Sequence, residues 1–168
     1  KPSLFFMLYP ILNDARAVID LGGIWRFRLD DGSGVEQGWQ ARRLENCDTI
    51  AVPASYNDQK EGEAFRDHYG LAFYQTEFSV PSLLTQERLV LRFGAVTHHA
   101  QVYLNGNLMI SHKGGFLPFE VEIGGMVRDG SNLLTVVVDN RIDHSTLPVG
   151  CETPGQLGGM IPADPEIT

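Results

Sequence analysis

Leu89, Leu91 and Phe93 fall on one side of an extended chain, with Arg92 pointing away between two of them. This two-residue period is that of a strand with one face buried and one in water. The same reading carries through to residue 139. Ala100-Gln101-Val102-Tyr103-Leu104 and Leu108-Met109-Ile110 flank Asn105-Gly106-Asn107. Asn-Gly places two residues at positive φ, as a tight hairpin requires, so a hairpin is predicted here. Phe119, Val121 and Ile123 alternate with Glu120 and Glu122, and residues 132–139 form a long β-branched run ending at Asp139. No helical period interrupts these segments. The pattern predicts an all-β chain: an antiparallel β-sandwich with two sheets packed face to face.

Upstream, residues 19–31 read as the first strand, with Trp25, Phe27 and Leu29 as a core stripe and Ile24, Arg26 and Arg28 on the other face. Asp30-Asp31-Gly32-Ser33-Gly34 reads as a turn. Residues 49–52 predict a short strand stopped by Pro53. Residues 57–69 are polar and predict an irregular loop with at most one helical turn. Residues 71–80 form a strand rich in aromatics, and 81–87 connect it to the next. Residues 150–168 hold four glycines, three prolines and no apolar period, which predicts a loop or flexible tail over 151–168.

Composition narrows the function. The chain of 168 residues is long enough for one domain with a sizeable core. Its formal net charge of -8 argues against nucleic acid and anionic membrane as partners. Leu4 to Leu8 is apolar but far shorter than the ~20 residues that span a bilayer, and no small-residue cleavage site follows it. Cys47 and Cys151 lack metal-ligand spacing and read as free thiols of a reducing, cytoplasmic compartment; a disulfide between them is the alternative.

Candidate chemistry is sparse. Glu120 and Glu122 are the one carboxylate pair with suggestive spacing, but they lie opposite an apolar face and read as its solvated side. His98 and His99 point to opposite faces of a strand and cannot converge on one ion. His112 and His144 have no ligand pattern around them, so these four of the five histidines read as structural or surface residues, and no metal site is assigned. The Asp30–Gly34 turn lacks the spaced oxygens of a calcium loop. No phosphate-binding glycine motif and no nucleophile elbow are present. Trp25 and Trp39 are the candidates for a sugar-stacking platform, should they be exposed. In Gly114-Gly115-Phe116-Leu117-Pro118-Phe119 both phenylalanines are expected to plug the core; the alternative is an exposed aromatic on a sugar-facing loop.

Several motifs together carry a family resemblance. They are Met7-Leu8-Tyr9-Pro10, Asp20-Leu21-Gly22-Gly23-Ile24-Trp25-Arg26-Phe27, Val52-Pro53-Ala54-Ser55-Tyr56-Asn57-Asp58, the run from Phe93 to Gly106, His112-Lys113-Gly114-Gly115-Phe116-Leu117-Pro118-Phe119-Glu120, and Thr146-Leu147-Pro148-Val149-Gly150. In this order the chain resembles the first domain of β-glucuronidases, members of glycoside hydrolase family 2. The resemblance covers residues 7–150 and leaves 1–6 as an extension or expression remnant.

It implies a jelly-roll-like, galactose-binding-domain-like sandwich that carries no catalytic residue. The family's catalytic glutamates belong to a separate (β/α)₈ barrel, and such a barrel needs at least ~200 residues. It implies no cofactor. It further implies downstream immunoglobulin-like and barrel domains as partners, and a β-glucuronide substrate that only the whole enzyme engages. The family's first domain ends in an Asp-Phe-x-Asn-Tyr-Ala-Gly motif whose aspartate reaches the sugar. Asp164 is followed by Pro165, so that role does not transfer to it, no substrate-binding residue is assigned, and the domain is expected to lack its last strand. The alternatives are a free-standing carbohydrate-binding module, or a structural or oligomerisation domain of a related enzyme such as a β-galactosidase. The missing last strand would leave a sheet edge open, and with the apolar run 132–139 near it the expectation is self-association into a homo-oligomer, or filling of the edge by the chain's own termini such as Leu4 to Leu8.

Overall fold

A computed structural model of the chain describes residues 12, 13 and 16–142. Among these residues eight strands are formed: β1 (Gly23–Leu29), β2 (Asp48–Val52), β3 (Leu71–Val80), β4 (Val90–Phe93), β5 (His99–Leu104), β6 (Asn107–Lys113), β7 (Phe119–Glu122) and β8 (Gly130–Asp139). One sheet has the order β2-β1-β3-β8-β5-β6, and β4 and β7 pair as a second. All pairings are antiparallel. The all-β sandwich expected from the alternation is the fold observed. The polar stretch before β3 contains a 3₁₀ turn (Tyr56–Asp58) and one helical turn, α1 (Glu63–Arg66), as its lack of period suggested.

The core follows from alternation in the six-stranded sheet. On the face turned toward β4 and β7, Trp25, Ala100, Val102, Leu104, Leu134 and Val136 meet Leu91, Phe119 and Ile123. Toward one edge the same face continues into Phe27, Ile50 and Ala72, covered by Tyr56 and Phe65. The opposite face buries Phe73 and Val137 under Trp39 and Leu44, which belong to the irregular connection between β1 and β2. Burying a large apolar side chain fully contributes roughly 1.5–3 kcal/mol, so each cover is a substantial source of stability. Phe93, read as a core residue, is half-buried and stacks on Phe119 with ring centroids 4.9 Å apart.

β8 explains its own sequence. It lies between β3 and β5, and residues on both its faces are buried: Leu134 and Val136 on one side, Thr135 and Val137 on the other. A strand covered on both faces reads as a continuous apolar run. The condition that 132–139 lies near an open edge is thereby not met, so this run is not what a second chain could pair with. Among the described strands, the edges of the large sheet are β2 and β6. The β2 edge is blunted by Gln59. Its amide oxygen accepts from the Ala51 N–H at 2.6 Å and its amide nitrogen donates to the Ala51 carbonyl at 3.0 Å.

The Asn-Gly hairpin forms as predicted between β5 and β6. Asn105 and Gly106 are its two turn residues, with φ of 51° and 85°, the type I′ signature. Asn107, counted with the turn in the sequence, is already paired with Leu104.

Candidate functional site

The carboxylate pair is the first candidate to place. Glu120 and Glu122 lie on the outer face of β7 and form ion pairs, Glu120 with Arg92 of β4 at 2.6 Å and Glu122 with Arg88, just before β4, at 3.2 Å. They are exposed and neutralised, as expected of a solvated face. Of the candidate histidines, His98 precedes β5 and bonds through its backbone to Asp139 and Gly114, while His99 and His112 are held by neighbouring side chains and backbone. His99 Nε2 lies 2.8 Å from Ser111 Oγ. His112 stacks on Phe119 at 4.1 Å, extending the stack that begins with Phe93, and its Nε2 contacts the Gly114 carbonyl at 3.0 Å. His144 lies outside the described residues. Among those residues no group of His, Cys, Asp and Glu is arranged to hold a metal ion, and no helix is long and apolar enough to cross a membrane.

The Asp30–Gly34 turn spends its oxygens on its own backbone. Asp30 accepts from the Gly34 N–H at 2.8 Å, and Asp31 from the Ser33 N–H at 3.0 Å and the Ser33 hydroxyl. The Ser33 hydroxyl, more than any other group, holds the Asp31 carboxyl below the usual carboxylate range. Cys47 is a half-buried free thiol that donates to the Leu44 carbonyl, while Cys151 lies outside the described residues.

Both tryptophans are buried, Trp25 at 5 % and Trp39 at 2 % exposure, so neither offers a face to a sugar. Trp25 donates its indole N–H to the Leu21 carbonyl at 2.9 Å. Trp39 lies under the Arg28 guanidinium, 3.6 Å above its ring, beside a surface cleft of about 230 Å³ lined by Arg28, Arg42, Arg43 and Glu45. Arg28 is already engaged there, donating to the Glu45 carbonyl and to Asp31.

The glycine-phenylalanine motif splits the expectation. Phe119 is core, at 4 % exposure, but Phe116 and its neighbour Leu117 are each 67 % exposed. The physical reason is the turn itself. Gly115 is buried so tightly that an added Cβ would lie 2.8 Å from Thr97 Oγ1. Its backbone therefore fills the interior position, and the next two side chains are pushed outward.

These residues belong to one pole of the sandwich. β1, β4, β6 and β8 end there, and β3, β5 and β7 begin there. A half-buried polar lattice ties the pole together through Asn140. Its side-chain oxygen accepts from the Gly70 N–H at 2.8 Å, and its amide donates to the Tyr56 hydroxyl at 3.0 Å and the His68 carbonyl at 2.7 Å. Burial pushes the Tyr56 phenol up from its ordinary pKa, although its bond to Asn140 opposes the shift. Asp139 feels burial, which raises its pKa, but hydrogen bonds from the Arg141 side chain and backbone, with the charges of Arg141 and His99, hold it below the usual range.

Sequence reasoning missed Asn140, and also Gln75, which is fully buried under the Trp39–Leu44 segment. The available signals were an amide closing the β-branched run and an amide at an inward position of an aromatic strand. The pole can hold loops in fixed positions. Among the described residues it brings together no paired acid and base and no group arranged to hold a metal ion.

Residues 18–148 match the family described as "Glycosyl hydrolases family 2, sugar binding domain". The chain belongs to that family. Its relatives include a protein named β-glucuronidase from Paenibacillus borealis, 43 % identical over 146 residues, covering 86 % of this chain and 24 % of that protein. The human protein of the same name is 36 % identical over 158 residues. Among solved structures, a β-glucuronidase from an uncultured Clostridium species superposes with a TM-score of 0.83 at 47 % identity, over 86 % of this chain and 26 % of that one. One from Bifidobacterium dentium, described as complexed with coumarin-3-O-glucuronide, gives 0.79 at 48 % identity, over 88 % and 24 %. The chain thus spans about a quarter of the length of these relatives.

Proposed function

We infer that this chain is the non-catalytic first domain of a β-glucuronidase, and that the longer polypeptide hydrolyses β-D-glucuronides with retention of configuration. The observation that carries this reading is the match over 86 % of the chain to proteins named β-glucuronidase, at 43 % identity to one and 47 % to another. The domain's own chemistry supports it from the other side. A retaining glycosidase needs two carboxyl groups about 5–5.5 Å apart, one as nucleophile and one as acid and base. Here the candidate pair, Glu120 and Glu122, is neutralised by Arg92 and Arg88 on an open face. The glutamates that act are therefore assigned to the downstream barrel, and this domain braces it and shapes the rim of its site. No cofactor is needed for that role. A free-standing carbohydrate-binding module draws no support from two buried tryptophans. The half-buried free thiol of Cys47 fits a reducing, cytoplasmic setting.

The test is to express the reading frame extended downstream of Thr168 and assay it on chromogenic glycosides. β-Glucuronide turnover with retained anomeric configuration is expected. Hydrolysis of a β-galactoside in its place would overturn the assignment.

A further inference from the structure

Phe116 and Leu117 are adjacent, apolar and each 67 % exposed, at the tip of the loop between β6 and β7. A floppy loop would present such a pair only transiently, but this loop is held. The Gly114 N–H donates to the His98 carbonyl at 2.9 Å, the Thr97 hydroxyl donates to the Gly115 carbonyl at 3.2 Å, and Gly115 lies flush against Thr97. The neighbouring loop thus clamps both glycines, and Phe119 anchors the far side in the core. The two side chains are presented on a fixed backbone, so covering them forfeits little conformational entropy.

We propose that the Phe116–Leu117 tip is a docking peg that seats this domain in an apolar socket on the downstream part of the same polypeptide. The proposal rests on the reading of the chain as the first domain of a longer enzyme. Three observations select that occupant. The relatives are about four times longer, since the matched region is 24 % of one of them. β8, which leads out of the described residues, ends at the same pole as the tip, with the Asp139 carbonyl accepting from the His98 N–H at 3.1 Å. The patch is also too small for partners that meet by diffusion. Two such side chains supply at most a few hundred Å², where a stable interface between separate proteins needs about 800 Å² per partner. A tethered partner meets the peg at an effective concentration in the millimolar range, and a small patch then suffices.

Hydrogen exchange at residues 115–117 tests this, in the 168-residue chain and in the polypeptide extended through the downstream reading frame. Exchange should be at least about ten-fold slower in the extended form, and the Phe116→Ser/Leu117→Ser double variant should return it to the rate of the short chain. The same double variant should leave the melting temperature of the short chain unchanged. Equal rates in the two forms, or protection that survives the double variant, would overturn the proposal. So would a dimer of the short chain that the variant dissolves, which makes a second copy the occupant. A raised KM for aromatic β-glucuronides with protection unchanged would make the tip a ligand contact. Activity is scored separately: an extended polypeptide that protects the tip but leaves glucuronides intact refutes the enzyme reading and keeps the peg. A reading frame that stops at Thr168 overturns both.

Discussion

The two faces of the six-stranded sheet are buried by different means. Toward β4 and β7 the buried cluster is apolar, with Leu104 and Leu134 essentially inaccessible, and the buried amide beside it, Asn132, is spent on the Arg128 and Gly130 backbone of the turn that enters β8. On the opposite face the cover is an irregular segment, fastened from beneath by one buried amide and at its margin by Arg28, which stacks on Trp39 and donates to the Glu45 carbonyl. Gln75, fully buried, accepts from the Leu44 N–H at 2.8 Å and donates to the Arg42 carbonyl at 2.9 Å and to Thr135 Oγ1 at 2.8 Å. Strand alternation builds a core without naming partners. An irregular segment has backbone groups to satisfy, so it needs a specific polar partner in the sheet beneath.

The largest effect should come from the apolar face. Leu134→Ala should lower stability by about 2–5 kcal/mol in urea melts, through lost burial and the cavity left between the sheets. A loss below about 1 kcal/mol would mean that the two sheets do not share a tight core.

Gln75→Ala should come next, at about 2–4 kcal/mol, because it strands the Leu44 N–H and the Arg42 carbonyl with only part of the partnership restored by water. It should also differ in kind. The cover should detach before the sheet melts, so trypsin should cut at exposed Arg42 or Arg43 in the variant under conditions where Leu134→Ala resists. Equal resistance would remove the distinction between the faces.

A smaller effect is expected at the pole. The folded Asp139 carboxyl is held below its ordinary pKa. Its contribution is therefore present above the unfolded value of about 3.9 and is lost as pH falls through the lower folded value. The wild type should exceed Asp139→Asn at pH 7 by no more than about 1 kcal/mol, given how exposed Arg141 is, and the difference should shrink as the solution is acidified through and below the unfolded value of about 3.9. A difference that grows with acid would contradict the sign. The smallest effect belongs to the outer face of β7, where Glu120→Gln and Glu122→Gln should each change stability by less than about 0.5 kcal/mol.

The contrast between the faces also measures what was legible in the sequence. Leu89, Leu91, Trp25, Phe27 and Phe119 announced their burial through period two, and Asn105-Gly106 announced its turn through the need for positive φ. The position of β8 was misjudged because strand order depends on pairing between distant segments, which local pattern does not encode. Trp39 escaped because its burial comes from a 3₁₀ turn in an aperiodic connection. Phe116 escaped because its outward direction is set by the depth of Gly115, a contact with Thr97 made across two loops. Of the candidate site, the solvated placement of Glu120 and Glu122 was readable from their alternation with an apolar face, whereas the Asn140 lattice was not, since its partners are separated by up to 84 positions.

The central claim is that this domain is a frame without chemistry of its own. The most direct measurement is turnover of a chromogenic β-glucuronide by the repurified 168-residue chain across the pH range, beside its Glu120→Gln/Glu122→Gln variant. The account predicts no turnover above buffer for either protein. Hydrolysis that survives repurification and is lost in the variant would contradict it.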